Sequence, residues 1–300
     1  MRLAPRLAAA VALSAVGARA LAQELEPRAY APNPTGANFV LAVYGHTTGD
    51  VVFDPSVPIT NVSASVNLAA LFYGRTFSLF GRSASAAVQL PYVWGTIEGD
   101  VFEAQRTVHR SGLADLRLRL TTNLVGGPAL SPREFAARRP RTTLGASVVV
   151  LAPTGQYDPS KLVNVGTNRW AFKPEAGLSH PAGRWLLELY AGAWLFADNE
   201  DFFGGSRRSQ SPLLGLQGHF SYTFRPRLWL AGNATVYTGG RTTVDGVEKA
   251  DLQRNSRLGL TLAVPVKRRS ALKASWSRGL TTRIGGDFQT LALGYQILWF

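Results

Sequence analysis

The fold this sequence predicts is a closed antiparallel β-barrel of about twelve strands, spanning a bacterial outer membrane. Three observations predict it. The first residues read as an export signal; no later stretch is long and apolar enough for a spanning helix; and the remainder falls into segments in which apolar and polar residues alternate. Composition agrees, because 30 Gly, 7 Trp, 9 Tyr and 15 Phe suit many strands joined by tight turns. With no Cys the chain has no disulfide framework, thiolate metal site or cysteine nucleophile.

Residues 1–22 carry Arg2 and Arg6, then an uncharged run over 7–17, then Ala20-Leu21-Ala22, the small-x-small form that signal peptidase accepts. The apolar run is about a dozen residues, short of the roughly 20 a spanning helix needs, so cleavage before Gln23 is expected. Cleavage removes Arg2, Arg6 and Arg19 and no acid, and the mature chain stays basic. The next segment, 23–36, holds Pro27, Pro32 and Pro34 and cannot form a ladder strand. Two placements are open to it, the periplasm or the barrel lumen as a plug. The barrel itself is expected over 37–300.

A strand with lipid on one side and a lumen on the other alternates over about ten residues. Leu116, Leu118 and Leu120 oppose Asp115, Arg117, Arg119 and Thr121 in this way. Leu214, Leu216, Phe220, Tyr222 and Phe224 oppose Gln217, His219, Ser221 and Thr223, and Leu258, Leu260 and Leu262 oppose Arg257 and Thr261. The same pattern predicts strands near 37–46, 60–76, 84–96, 112–125, 141–153, 168–180, 184–197, 212–225, 227–238, 253–265, 270–282 and 287–300. Connections at 80–83, 181–183, 225–227 and 266–269 are short, and those at 46–58, 96–110, 156–167, 198–211 and 239–252 are long, the asymmetry of outer-membrane barrels. Two connections break the rule: 126–140 is long where a turn is expected, and 283–286 is short where a loop is. A secreted sandwich would carry dense charge on its wet face. Here the second face is mostly Ser, Thr, Asn, Gln and Gly, as a narrow lumen requires.

At the C-terminus Leu291, Leu293, Tyr295, Ile297 and Trp299 alternate, and the sequence stops at Phe300. This is the edge-strand pattern that barrel-insertion machinery reads, shifted by one residue.

Several ordered blocks carry a family resemblance: Ala114-Asp115-Leu116-Arg117, the runs 151–159 and 164–174, Phe196-Ala197-Asp198-Asn199, Gln210-Ser211-Pro212, Thr238-Gly239-Gly240 and the run 256–260. They are similar to those of the bacterial outer-membrane transporter family named for a MetA pathway of phenol degradation. The resemblance covers roughly 112–300, with 39–99 fitting more loosely. It implies a transporter-type barrel whose substrate is poorly defined for the family as a whole.

The alternation sends Asp115, Arg117, Arg119, Arg169, Lys173, Glu175, Glu188, His219, Arg257 and Lys273 into the lumen, six bases against three acids and one imidazole. Such a lining concentrates anions, so a narrow channel for small anionic or polar aromatic solutes is expected. The competing expectation is that these side chains pair across strands and fill a small barrel that serves a structural or assembly role. Arg133, Arg138, Arg139 and Arg141 fall in the long connection on the periplasmic side, with Lys267, Arg268 and Arg269 in another turn there. Arg207 and Arg208 fall in an outer loop, where lipopolysaccharide phosphates would attract them. Export and the lack of a basic-aromatic platform argue against nucleic acid.

His219 and Ser221, two apart on one strand face, have the spacing of a barrel phospholipase, with Asn233 to orient the base. Their phase, however, points them into the lumen, away from lipid, so the chain is read as a non-enzyme. Asp198, Asn199, Glu200 and Asp201 form an acidic loop tip read as solvated rather than metal-binding. No phosphate loop, zinc helix or calcium loop is present, and no cofactor is expected.

Overall fold

The computed structural model describes residues 25–53, 59–101 and 104–300; the export signal lies outside the described residues. In chain order the strands are β1 (Asn38–Val52), β2 (Ile59–Leu79), β3 (Arg82–Val101), β4 (Ala104–Leu113), β5 (Leu116–Val125), β6 (Thr143–Ala152), β7 (Ala171–Ala182), β8 (Trp185–Phe196) and β9 (Asn199–Phe202). They continue with β10 (Ser206–Gln210), β11 (Leu213–Arg225), β12 (Leu228–Gly239), β13 (Thr242–Val244), β14 (Val247–Glu248), β15 (Gln253–Lys267), β16 (Ser270–Thr282) and β17 (Gly285–Trp299).

Every main-chain ladder is antiparallel, and the sheet closes on itself. β1 pairs with β2 and with β17, from Asn38 opposite Trp299 to Val52 opposite Gly285. β3 pairs with β2, β4 and β5, so β4 and β5 form one stave broken at Ala114 and Asp115, and the barrel has twelve staves. Closure leaves no open edge at membrane depth, which a lipid environment demands of any sheet.

The outward face is the reason this sheet sits in lipid. Leu118, Leu120, Leu189, Leu216, Leu260, Leu291 and Leu293 are all exposed, and they form a belt that water would penalise and hydrocarbon does not. Tyr44, Tyr92, Trp94 and Trp170 lie toward the long-loop end of the belt, and Trp185, Tyr222, Phe224 and Tyr295 toward the short-turn end, as aromatic girdles do. Among the described residues no helix is long and apolar enough to cross a membrane.

All twelve expected strands are present, and the differences lie in the connections. The expected loops at 46–58 and 96–110 are largely strand, because β1 to β4 rise past the apolar belt: outward residues change along β3 from Leu90, Tyr92 and Trp94 to Thr96, Glu98 and Asp100. The loops after β8 and β12 carry a separate four-stranded sheet in the order β14-β13-β10-β9, closed over Phe202 and Val244. These strands are two to five residues long, too short to show alternation. The long connection at the short-turn end holds a helix, Pro132–Ala137, whose Ser131 and Glu134 cap each other reciprocally. β16 and β17 are joined by only Arg283 and Ile284 at the long-loop end.

Candidate functional site: a two-faced lumen with a seated segment

Inward-facing residues divide the lumen lengthwise. On β1 to β3 many are apolar, Phe39, Leu41, Val43, Leu68, Phe72 and Val93 among them, with Thr47, Thr76, Ser85 and Gln89 between. The expected lumen is mostly Ser, Thr, Asn, Gln and Gly, and this wall is more apolar than that. The reason the alternation blurs there is visible in the run Phe39 to Val43, where both faces are apolar. On β5 to β15 polar and charged inward residues are interspersed with buried apolar ones, among them the cluster Val149, Leu151, Ala171, Trp194, Leu213 and Tyr237.

The segment 25–37 runs inside the short-turn half of the barrel, against that polar side. Two backbone hydrogen bonds fix its exit: Thr35 donates to the Leu130 carbonyl at 2.8 Å, and Gly36 to the Thr76 carbonyl at 3.0 Å. Arg28 has φ of 68°, a conformation that costs a non-glycine residue energy and persists only where its surroundings impose it. The imposition is plain. The Arg28 amide donates to Glu188 Oε2 at 2.8 Å, its Nη2 to Thr223 Oγ1 at 2.7 Å, its Nε to Ser221 Oγ at 3.2 Å, and its guanidinium lies 4.4 Å from the centre of the Trp229 ring.

Tyr30 is 1% exposed. Its hydroxyl shares a hydrogen bond with Ser147 Oγ at 2.8 Å and donates to Glu175 Oε1 at 2.9 Å, and its ring meets Tyr190 edge to face at 4.8 Å. The ring fits because Gly145 and Gly177, paired across β6 and β7, present no side chain to it; a Cβ on either would overlap the ring. Glu26 pairs with Arg119 and lies 3.8 Å from Arg117. Enclosure in the lumen works to raise the Glu26 carboxyl, but Arg119, Arg117, Lys173 and Lys273 together hold it at about 2.

Five of the ten residues expected to line the lumen form one network around this segment. Glu175 accepts from Lys173 at 2.9 Å and from Gln217 at 3.0 Å and faces Arg119 at 3.4 Å. Glu188 accepts from Tyr190 at 2.6 Å and Ser179 at 2.8 Å. Arg117 stands beside this network, facing Glu26, and Lys273 lies 5.8 Å from the Trp229 ring centre. His219 shares a hydrogen bond with Asn233 at 2.8 Å, and its ring lies tilted against Tyr190 with centroids 4.8 Å apart.

The other three lie nearer the long-loop end. Arg169 reaches Gln210 and packs over the Phe196 ring at 4.5 Å. Arg257 donates to Ser277 Oγ at 3.1 Å and the Phe288 carbonyl at 3.0 Å. Asp115 is 2% exposed, at the break between β4 and β5. Its carboxylate accepts from the Gly155 amide at 2.9 Å and the Thr167 amide at 2.9 Å, and also from the Thr167 hydroxyl, so it ties the inward-folded loop 153–170 to the wall rather than facing a pore.

Two cavities formed by the described residues lie along the lumen beside this network. One of about 450 Å³ separates the seated segment from the β1 to β3 wall, and is lined by Arg28, Phe39, Phe72, Arg119 and Lys273 among others. One of about 180 Å³ lies above it, roofed by Val163 and Val165 of loop 153–170. Ala292 lines both.

One surface expectation needs correction: Arg208 is buried over the Phe202 ring rather than presented to lipopolysaccharide, whereas Arg207 stays exposed, paired with Asp198 and with Glu200 at 3.2 Å at the solvated acidic loop tip. Ser221 is wholly buried and accepts from Arg28, with His219 turned to Asn233, so neither meets lipid. Among the described residues no cluster of His, Cys, Asp and Glu could hold a metal ion.

The residues that sequence reasoning missed are Glu26, Arg28, Tyr30 and Tyr190. The available signal was the glycine pair on the inward faces of two adjacent strands, a notch that calls for an aromatic ring.

Among solved structures, the COG4313 outer membrane channel from Pseudomonas putida F1 is similar over 92% of this chain and 100% of that one, with TM-score 0.77 and 24% identity. The β domain of the Bordetella autotransporter BrkA covers 88% and 100% (TM-score 0.53, 11% identity), and the transport unit of AIDA-I from Escherichia coli 98% and 98% (0.51, 7% identity). All are outer-membrane barrels, and at these identities the likeness is one of fold. No curated protein matches the chain. The family described as "Putative MetA-pathway of phenol degradation" matches residues 35–296, and the chain belongs to that outer-membrane barrel family.

Proposed function

We propose that this protein is a passive channel of the bacterial outer membrane for small solutes, anionic ones favoured, throttled at its periplasmic end by the segment 25–37. The observation that carries the reading is the pair of adjoining cavities running past the seated segment, with Arg119 and Lys273 on one wall. Inward cations of this kind raise the local anion concentration. The short-turn end, where β1 begins and β17 ends, is the periplasmic one. Residues 1–22 direct export, and the alternating β17 strand ending at Trp299 and Phe300 is the edge handed to the insertion machinery. The reading includes no catalysis, and it is supported by the nucleophile-base pair the sequence offers, Ser221 and His219, being buried and engaged by Arg28 and Asn233.

The test is single-channel recording of refolded 23–300 in a planar bilayer, beside a variant with the segment unseated. Small unitary steps that grow when the segment is released support the reading. A folded barrel that is silent in both forms overturns it and leaves the structural barrel with a filled lumen.

A further inference from the structure

The short turns carry a charge pattern that the channel reading leaves unused. The turns Gly183-Arg184, Pro226-Arg227 and Arg268-Arg269 join the consecutive staves from β7 to β16, and with Arg225 and Lys267 beside them they set exposed cations along one arc of the rim. Residues 181–184, 225–228 and 266–270 contain no acid. Main-chain bonds hold the arc together. Arg227 donates Nη1 to the Lys267 carbonyl at 3.0 Å and the Arg268 carbonyl at 2.6 Å, and Nη2 to the Ser270 carbonyl at 2.6 Å, so it fixes the next turn against its own. Its φ of 68° lies in a two-residue turn, where glycine is the usual occupant, and an arginine held there against that preference points to a use for its side chain. On one flank the Thr223 amide donates to the Arg184 carbonyl at 2.9 Å, and on the other the Leu298 amide donates to the Arg269 carbonyl at 2.8 Å. At the stave spacing, neighbouring hairpins of the arc stand roughly 10 Å apart.

Directly above the cations the outer wall turns apolar. Trp185 follows Arg184, Phe224 precedes Arg225 and Val266 precedes Lys267, and all three are about half exposed on the lipid-facing side. Trp185 meets Tyr222 edge to face at 4.9 Å, and Tyr222 meets Phe224 likewise at 5.0 Å, so one aromatic row borders the arc.

We propose that this arc is a binding site for an anionic glycerophospholipid of the leaflet at the short-turn end, its phosphate between the neighbouring turns at Arg225, Arg268 and Arg269, and its acyl chains against Phe224, Val266 and the Trp185 row. Guanidiniums meet phosphate oxygens with paired hydrogen bonds, and clustered cations at a bilayer surface draw anionic headgroups. The apolar neighbours favour lipid over a soluble acidic partner. Such a partner reaches the charges but leaves the adjoining rings to be covered by something else, whereas one phospholipid answers both in the orientation the bilayer already imposes. The site goes beyond the channel reading and does not depend on an open lumen.

The experiment places the full mature protein in phosphatidylcholine vesicles into which chain-brominated phosphatidylglycerol or chain-brominated phosphatidylcholine is titrated. Bromine quenches a tryptophan it touches, so quenching reports the lipid composition at each ring. The Trp185 signal is the difference between wild type and Trp185→Phe; the Trp170 signal, from an equally exposed ring at the opposite rim, is the difference from Trp170→Phe. Brominated phosphatidylglycerol is expected to half-quench Trp185 at about tenfold lower mole fraction than brominated phosphatidylcholine, and to show no such preference at Trp170. Salt at about 0.5 M is expected to cut the preference several-fold by screening. Arg225→Gln combined with Arg268→Gln and Arg269→Gln is expected to abolish it, in a barrel that still resists unfolding in sodium dodecyl sulfate. Arg227→Gly, which suits the turn backbone, is expected to lower it about threefold by releasing the neighbouring turn, and stands in where the triple variant fails to fold. Equal quenching of Trp185 by the two lipids overturns the proposal and leaves the arc to a soluble acidic partner. An equal preference at Trp170 overturns it as well, as does a preference that salt and the substitutions leave unchanged.

Discussion

Replacing Tyr30 by alanine asks how firmly the N-terminal segment is held. The wild-type ring is almost wholly buried in the notch over Gly145 and Gly177, and its hydroxyl bonds Ser147 and the Glu175 carboxylate. Burial of an aromatic side chain is worth about 2 to 3 kcal/mol, and the two hydrogen bonds add about 1 kcal/mol each, the charged one being the stronger. Truncation therefore costs the seated state about 4 kcal/mol, and at 1.36 kcal/mol per decade the equilibrium between seated and released shifts by roughly a thousandfold. The barrel wall is untouched, because the substitution lies outside every ladder. Single-channel recordings of the variant should show unitary conductance or open probability well above wild type, and a protease should cut near Pro27–Ala37 where wild type resists. Equal conductance and equal protease resistance in a correctly folded variant would refute the claim that the segment controls the lumen.

Three further outcomes follow from the same geometry. Gly177→Val should unseat the ring from the opposite wall and raise conductance as Tyr30→Ala does, since its Cβ overlaps the ring position; a conductance unchanged from wild type would contradict the notch. Asp115→Asn removes charge from the groups holding Gly155 and Thr167, should loosen loop 153–170 by about 2 kcal/mol, and should be read as faster hydrogen exchange at 155–167 with the barrel ladders unchanged. Glu26 is depressed in the folded state from an ordinary 4.5 to about 2, so its stabilisation of the seated segment is complete above pH 4.5 and is lost as pH falls from there through 2. Conductance should accordingly be insensitive to this group between pH 8 and 5, and Glu26→Gln should reproduce at pH 7 the loosening that acid brings; a Glu26→Gln channel identical to wild type at pH 7 would remove Glu26 from the seat.

The barrel was legible because lipid imposes a repeating requirement. Each outward leucine on β5, β11 and β15 is demanded by hydrocarbon, and the polar partner between each pair marks the other face, so period-two alternation announced those strands without any knowledge of their neighbours. Along β1 the alternation blurs for a physical reason: Phe39 to Val43 is apolar on both faces, one toward lipid and one toward the cavities. The short strands β9, β10, β13 and β14 have no repeating environment to leave a pattern. Alternation also gives direction but not pairing. It sent Lys173, Glu175 and Glu188 inward, yet the assembly of those three with Tyr30, Arg28 and Tyr190 depends on partners more than a hundred residues apart, such as Tyr30 with Ser147 and Arg28 with Glu188. The proline-rich composition of 23–36 excluded a ladder strand and could say nothing about where such a segment docks. The glycines at 145 and 177 carried that information, readable only once β6 and β7 are set side by side in register.

The reversal potential of single channels formed by refolded 23–300 in a tenfold gradient of potassium chloride tests the central account most directly. A narrow lumen bordered by Arg110, Arg117, Arg119, Arg257 and Lys273 predicts discrete steps whose reversal potential lies on the chloride side, with the preference shrinking when Arg119 and Lys273 are both replaced by glutamine. A reversal potential on the potassium side, or no steps from either the wild-type barrel or the Tyr30→Ala barrel, would contradict it.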